Sequence, residues 1–244
     1  MADLQIAIVL YPGMTALDAI GPYEVLRCVP GARIRFVGHE TGPVLTDSGV
    51  LALGATHTFE ETPSPDVIVV PGGPAATGVA GDDRVLDWLR TAHATTTWTT
   101  SVCTGALILA GAGLLDGQPA TTHWGGQKAL GLLGAKPQRT ARFVHGDRIA
   151  TAAGVSAGID LALWLVGEMF GREQAESIQL IIEYDPRPPF DAGHVTKASA
   201  AVKRKALVDM GRLTPEFQRS GALLTTLTGT QKALWRSMIR RIRR

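Results

Sequence analysis

Short apolar runs alternate along the chain with stretches of helical periodicity. Leu4 to Leu10 is an apolar, β-branched run closed by Tyr11-Pro12-Gly13, the pattern of a buried first strand. Thr15 to Cys28 repeats apolar positions at helical spacing through Leu17, Ile20, Val25 and Leu26, with an interruption at Gly21-Pro22. Arg33 to Val37 alternates like a strand, and Val44 to Leu53 predicts a hairpin turning at Asp47-Ser48-Gly49. Asp66 to Val70 is the clearest buried strand and stops abruptly at Pro71-Gly72-Gly73-Pro74. An amphipathic helix over Asp82 to His93 starts at an acidic cap. Thr96 to Val102 predicts a Thr-rich strand, and Thr104 to Ala112 a helix of small residues. Strands follow at Ala120 to His123, Arg139 to Val144 and Ile149 to Thr151, the last two joined by a turn at His145-Gly146-Asp147-Arg148. Two further helices span Ser156 to Phe170 and Glu173 to Ile182. Strands alternating with helices imply βαβ units and a mostly parallel, doubly wound α/β sheet.

No internal repeat interrupts this pattern, and no linker precedes about residue 185. From Asp185-Pro186-Arg187-Pro188-Pro189 onward the chain reads as looser, polar and peripheral. The expected organisation is one domain over residues 1–193 and a helical extension over 194–244. Composition agrees with a globular α/β protein: 45% hydrophobic and 19% charged residues in a chain of 244, which excludes disorder and collagen-like repeats. The 24 basic residues barely outnumber the 22 acidic ones, and Arg236, Arg240, Arg241, Arg243 and Arg244 crowd the C-terminus. Without those five, 19 basic residues face 22 acidic ones, which argues against a uniformly basic nucleic-acid-binding domain. The arginine run is expected to be a solvated helix end, dispensable for chemistry. The N-terminus carries no basic signal region, and no apolar run approaches the roughly 20 residues that span a bilayer. Two cysteines, Cys28 and Cys103, cannot build a disulfide framework. A reducing, cytoplasmic setting without membrane contact is expected.

Ligand sites in open α/β sheets form beyond the carboxyl ends of the strands, and three such ends carry unusual residues. Cys103 stands at a strand-to-helix junction in Thr99-Thr100-Ser101-Val102-Cys103-Thr104-Gly105-Ala106. A tight turn there lifts a nucleophile out of the sheet, and the following helix N-terminus favours a thiolate. A small apolar core thiol is the competing reading. Gly72-Gly73 can turn backbone N–H groups toward a ligand, as an oxyanion hole requires; a tight turn is the plainer alternative. No phosphate-binding Gly pattern follows, and no helix is expected to open on it. Asp18 sits in an apolar setting that raises a carboxyl pKa and suits proton transfer; alternatively it caps a helix. Glu24 is a second possible carboxyl partner for the cysteine. A Cys–His pair of adjacent residues would need His where Thr104 stands. His123 is able to approach Cys103 in space or to serve structure alone. The remaining histidines show no metal spacing, so no metal site is expected.

With these residues in place the chain resembles the ThiJ/PfpI superfamily, and within it the isonitrile (isocyanide) hydratases. The resemblance rests on LDAIGPYEVL (17–26), DVIVVPGG (66–73), TSVCTGALILAGAGLLDGQPATTHW (100–124), AAGVSAGIDLAL (152–163) and QLIIEYDPRPPFDAG (179–193). The CTGA…ATTHW run is shared with amidase-like domains of some regulators. The Asp18 block and the IIEYDPRPPFDAG segment pull toward the hydratases. The resemblance implies a flavodoxin-like three-layer sandwich and a homodimer. It implies Cys103 as nucleophile, Asp18 as the acid touching it, Thr104 as the residue after the nucleophile, and Gly73 as an amide beside the thiolate. Gly72, His123, Trp124 and Val155 are the matching pocket positions, Val155 replacing a bulkier β-branched residue.

The implied reaction needs no cofactor. Cys103 adds to the terminal carbon of R–N≡C with Asp18 as proton donor, giving a thioimidate that water converts to the N-substituted formamide. Two other classes remain open: a cysteine-dependent stress or glyoxalase-like protein, and a ligand-sensing regulator without its DNA-binding domain. Only about fifty residues follow Phe190, too few and too irregular for helix–turn–helix pairs.

Overall fold

The computed structural model describes residues 3–212 and 222–242. Its core is a seven-stranded sheet built from β1 (Leu4–Val9), β2 (Ala32–Gly38), β5 (His57–Thr58), β6 (Val67–Val70), β7 (Trp98–Val102), β10 (Phe143–His145) and β11 (Ile149–Ala152). Their order is β10-β11-β7-β6-β1-β2-β5, parallel throughout except at the β10 edge. Between these strands lie a side hairpin of β3 (Gly42–Leu45) and β4 (Ala52–Ala55), and a small parallel pair of β8 (Pro119–Ala120) and β9 (Lys136–Pro137). A flavodoxin-like α/β fold results. β6 reads VIVV and is buried at every position because helices cover both sheet faces. β7 is polar at Thr99, Thr100 and Ser101 yet buried. Two of these hydroxyls are absorbed locally: Thr100 donates to the Ile68 carbonyl at 2.9 Å, and Thr99 lies 2.9 Å from the His93 ring.

One helical layer contains α1 (Ala16–Leu26), α6 (Ala157–Phe170) and α7 (Arg172–Ile181). The interruption expected at Gly21-Pro22 does not occur; α1 runs through it. The reason is packing. A Cβ on Gly21 would lie 3.1 Å from Ile159, and one on Gly158 would lie 3.2 Å from Pro22, so the small residues let α1 and α6 cross closely. The opposite layer contains α2 (Ala76–Val79), α3 (Asp83–His93), α4 (Gly105–Gly111) and α5 (Gln127–Leu132). Asp82 caps α3, accepting from the Arg84 and Val85 amides. A short helix, α2, does open just after Pro71-Gly72-Gly73-Pro74, contrary to expectation.

Two expected strands are shorter than predicted. Of the 120–123 stretch only Ala120 pairs, within the two-residue strand Pro119–Ala120. Thr121 and Thr122 spend their groups on Thr151 and on the Cys103 carbonyl instead of a ladder. Arg139 and Thr140 form a turn, leaving Phe143–His145 as the edge strand.

The larger correction concerns the last described helix of the C-terminal extension, which is docked on the domain rather than solvated, while the residues before it stay largely exposed. The extension forms α8 (Ala200–Arg212) and a 21-residue α9 (Ala222–Ile242), the latter packed on α2 and α4. The contact is backbone to backbone: a Cβ on Gly229 would sit 2.1 Å from the Gly78 carbonyl oxygen, and one on Gly81 would sit 2.3 Å from that of Gly229. The arginines work as caps. Arg240 donates to the Ala110 and Gly111 carbonyls at the end of α4 while pairing with Asp116 at 2.9 Å. Arg241 donates to the Gly131 carbonyl at the end of α5 at 3.1 Å. Lys232 and Arg236 pair with Asp83 in the first turn of α3. Cations at helix C-termini and an acid at an N-terminus complement the helix dipoles. Arg243 and Arg244 lie outside the described residues.

Gly229→Ala is therefore expected to cost about 1–3 kcal/mol by overpacking. Thermal melting should show a fall of about 2–4 °C per kcal/mol. An unchanged melting temperature would mean that α9 does not dock through this face.

Candidate functional site

Beyond the carboxyl ends of β1, β6, β7 and β11, four loops converge on Cys103. The residue is 6% exposed and holds φ = 57°, a left-handed conformation rare for side chains other than Gly, Asn and Asp. Its N–H bonds the Ala152 carbonyl at 3.1 Å and its C=O accepts from Thr122 Oγ1 at 2.7 Å, so the neighbouring loops hold the strained backbone from both sides. Glycines make room around it. A Cβ on Gly154 would lie 3.0 Å from the Cys103 Cβ, and one on Gly72 would lie 2.4 Å from the Thr104 nitrogen.

Asp18 belongs to the first turn of α1, but Thr15, not Asp18, occupies the N-cap position. The capping alternative is thereby removed. Asp18 is fully buried; one oxygen accepts the Gly72 N–H at 3.0 Å, and the carboxyl faces the Cys103 thiol. Oδ1 has no partner of hydrogen-bond geometry. Burial pushes the Asp18 pKa up to about 7, against the lowering effect of the Gly72 amide. Burial, and next the Asp18 charge, also push the Cys103 thiol well above its ordinary range. The Thr104 amide and hydroxyl oppose that rise without overcoming it. The helix N-terminus thus does not produce the standing thiolate that the local sequence favours. Burial favours the thiol form of Cys103, beside a carboxyl whose pKa is raised to about 7.

The two glycine amides have other employment than an oxyanion hole. Gly72 N–H holds Asp18, and Gly73 N–H donates to Thr104 Oγ1 at 2.8 Å while that hydroxyl donates to the Gly73 carbonyl at 2.9 Å. Glu24 pairs with Arg27 at 2.7 Å on an exposed face and does not reach the site. Cys28 is a second free thiol, bonded to the Glu24 carbonyl and remote in sequence from these loops.

Over Cys103 opens a cavity of about 470 Å³, lined on one side by Thr104, Gly73, His123 and Val155. The cavity wall brings Thr104 and Gly73, expected beside the cysteine, together with two of the four expected pocket residues, His123 and Val155. Gly72 lies behind them under Thr104, and Trp124 faces a neighbouring small cleft with Arg139 and His194 instead. Burial lowers the His123 pKa, and its Nδ1 accepts the Gly125 N–H at 3.3 Å, leaving the neutral ring protonated at Nε2. Sequence reasoning missed Thr15 and Asp47, which line the cavity and bond each other at 2.6 Å. It also missed Met210 and Gly211, brought by α8 of the extension. Asp47 had been read only as a turn residue, and nothing in its neighbours signals a site. Among the described residues no group of three His, Cys, Asp or Glu side chains is placed to hold a metal. No described helix is long and apolar enough to cross a membrane.

Residues 4–168 match the model of the DJ-1/PfpI family. The chain is 43% identical over 203 residues to the isonitrile hydratase of Pseudomonas putida, covering 83% of this chain and 88% of that one. A ThiJ/PfpI family protein from Pseudomonas syringae superposes with a TM-score of 0.82 at 38% identity, over 96% of this chain and 91% of its own. Drosophila melanogaster DJ-1beta shares the fold at 20% identity, with a TM-score of 0.68 over 75% of this chain and 98% of its own.

The buried carboxyl has a sign-definite consequence for stability. In the unfolded chain Asp18 ionises near pH 4, whereas in the fold it does so at about 7. Stability from this group is complete below pH 4, falls as pH rises toward 7, and is flat above. Asp18→Asn removes that dependence. Between pH 4 and 8 the stability difference should swing toward the Asn variant by on the order of 4 kcal/mol, read by urea titration. Iodoacetamide should also modify Cys103 faster in this variant at a given pH, because the adjacent negative charge is gone. A flat difference would show an ordinary carboxylate.

Proposed function

This chain belongs to the DJ-1/PfpI family, and we propose that within it the protein is an isonitrile hydratase. It would convert R–N≡C and water to R–NH–CHO through a thioimidate on Cys103. The observation that carries this reading is the Cys103–Asp18 pair: a nucleophile on a strained elbow, in contact with a buried carboxyl titrating near pH 7, beneath a cavity open to ligand. The 43% identity to an isonitrile hydratase supports it.

The pair's chemistry suits an isonitrile carbon, which must gain both a nucleophile and a proton. With Asp18 ionised and Cys103 as thiol, the S–H proton passes to Asp18 and on to the terminal carbon as the S–C bond forms. The product is R–N=CH–S–Cys103, and Asp18 returns to carboxylate. Water then adds to that carbon, one of its protons goes to nitrogen, and the C–S bond breaks as the formyl C=O forms. The second water proton restores the thiol. No charge leaves the site at any stage, which fits a pocket with few ionised groups. Covalent catalysis divides one hydration into two smaller barriers.

A peroxide-sensing role fits less well, since a buried thiol with a raised pKa lacks the exposed thiolate that oxidation favours. A DNA-binding role for the basic tail also loses support, because Arg236, Arg240 and Arg241 are engaged by the protein's own helices. A homodimer in a reducing, cytoplasmic setting completes the proposal. It is supported by exposed Leu180, Ile181 and Phe190 and by two unpaired cysteines.

Formamide production from several isonitriles by purified protein is the direct test. Cys103→Ala should abolish it and Cys28→Ser should leave it intact; full activity in Cys103→Ala would end the reading. Asp18→Asn should lose at least ~10² in rate, the low end of acid–base contributions. Met210→Ala should raise KM for bulky isonitriles several-fold with kcat little changed, since the side chain lines the cavity rather than the nucleophile. Unchanged KM across a size series would remove Met210 from the pocket.

A further inference from the structure

The second half of the reaction needs a group that faces incoming water and accepts its proton. Asp18 is poorly placed for this. It is fully buried, is held by Gly72, touches the thiol from behind, and is not part of the cavity wall. His123 does line the cavity, but its Nδ1 is occupied by the Gly125 amide, so the ring presents a donor there rather than a base. The Thr104 hydroxyl is committed in both directions to Gly73. The Thr15 hydroxyl is committed to Asp47.

Asp47 remains, a second carboxylate in the same cavity as Cys103. Its mounting is specific. It sits at the turn of the β3–β4 hairpin, which is tied to the loop after β1: Asp47 N–H bonds the Met14 carbonyl at 2.9 Å, and Gly13 N–H bonds that of Leu45 at 3.0 Å. Thr15, at the position that would cap α1, instead donates its hydroxyl to Asp47 Oδ2 at 2.6 Å. Oδ1 has no hydrogen-bond partner among the described residues. Asp47 is also close enough to the buried pair for its charge to act on Asp18 and Tyr11.

We propose that Asp47 is the general base of the hydrolytic half-reaction, acting on the water that attacks the Cys103 thioimidate. This deepens the hydratase reading and rests on it. As the water oxygen bonds to the thioimidate carbon, Asp47 takes one proton and the C=N electron pair moves to nitrogen, which takes that proton back from Asp47. Asp47 then accepts the hydroxyl proton, the C=O forms, the C–S bond breaks with its electron pair going to sulfur, and the proton returns to Sγ. The two carboxylates divide the work: Asp18 serves the sulfur side and Asp47 the water side.

Asp47→Asn keeps an oxygen for the Thr15 hydroxyl, so the hairpin mounting survives; an unchanged melting curve checks this. Wild type and variant are mixed with benzyl isonitrile, quenched over time, and examined by intact mass and by formamide yield. The variant should form one adduct per chain, protein plus one isonitrile, at a near-normal rate and then hold it. Steady formamide release should fall at least ~10²-fold. Hydroxylamine, which attacks without needing a base, should discharge the held adduct, an effect that a merely structural residue would not produce. Turnover within a few-fold of wild type without adduct, or loss of adduct formation itself in a folded variant, overturns the role of Asp47. Absence of both adduct and formamide in the wild type instead brings down the hydratase reading, and this inference with it.

Discussion

The left-handed backbone of Cys103 is the constraint around which the site is organised. A non-glycine residue held there costs on the order of 1–3 kcal/mol and persists only where its surroundings determine it. Here they do so through contacts no side chain could occupy. Gly105 presses on the Val70 carbonyl, where a Cβ would stand 2.1 Å away. Gly72 lies against the Thr104 amide and Gly154 against Cys103 itself. The ends of β6, β7 and β11 are thus clamped backbone to backbone, and the strain at one residue is distributed over three loops. The same clamp brings Gly72 N–H to Asp18 and Gly73 to Thr104. The carboxyl partner of the thiol is therefore positioned by the packing that forces the thiol outward.

Where apolar runs were buried on both sides, sequence reading located the elements well: β1, β6, α3 and α6 lie within a residue or two of their expected bounds. The meeting of Asp18, Cys103 and Thr104 at one end of the sheet was legible because each lies in a segment that follows the carboxyl end of a strand. Reading failed where a side chain replaced the backbone as bonding partner. Thr121 and Thr122 look like strand residues but bond across to Thr151 and Cys103. The amides of Gly72 and Gly73 looked free for ligand because the groups that consume them, Asp18 and Thr104, lie 54 and 31 residues away. The environment of Cys103 was misjudged for a related reason. A helix N-terminus lowers a thiol pKa when solvent is near, but burial and a facing carboxyl outweigh it.

The arginines of the extension failed to read correctly because a charge run has no local signature of its partners. The carbonyls that Arg240 satisfies belong to Ala110 and Gly111, 130 and 129 residues earlier. An unsatisfied helix C-terminus is invisible in sequence until something caps it. Once these contacts are known, α9 becomes part of the layer that carries α4, the helix that starts immediately after Cys103. The basic tail therefore braces the far end of the helix whose near end follows Cys103.

The cavity combines walls of unequal firmness. Its chemical side is made of residues fixed by backbone contacts at the ends of the central strands. Its outer side includes Met210 and Gly211 of α8, a helix in which no residue is fully buried. Isolated helices of that length are marginal in water without tertiary support, and methionine is the side chain best able to fill an irregular space. In the proposed reaction, geometry and substrate fit would thus fall to different parts of the fold. The elbow keeps thiol and carboxyl in register, whatever group enters the cavity. The loosely packed helix can adjust to that group without disturbing the pair, because no hydrogen bond of Cys103, Asp18 or Thr104 is made to α8.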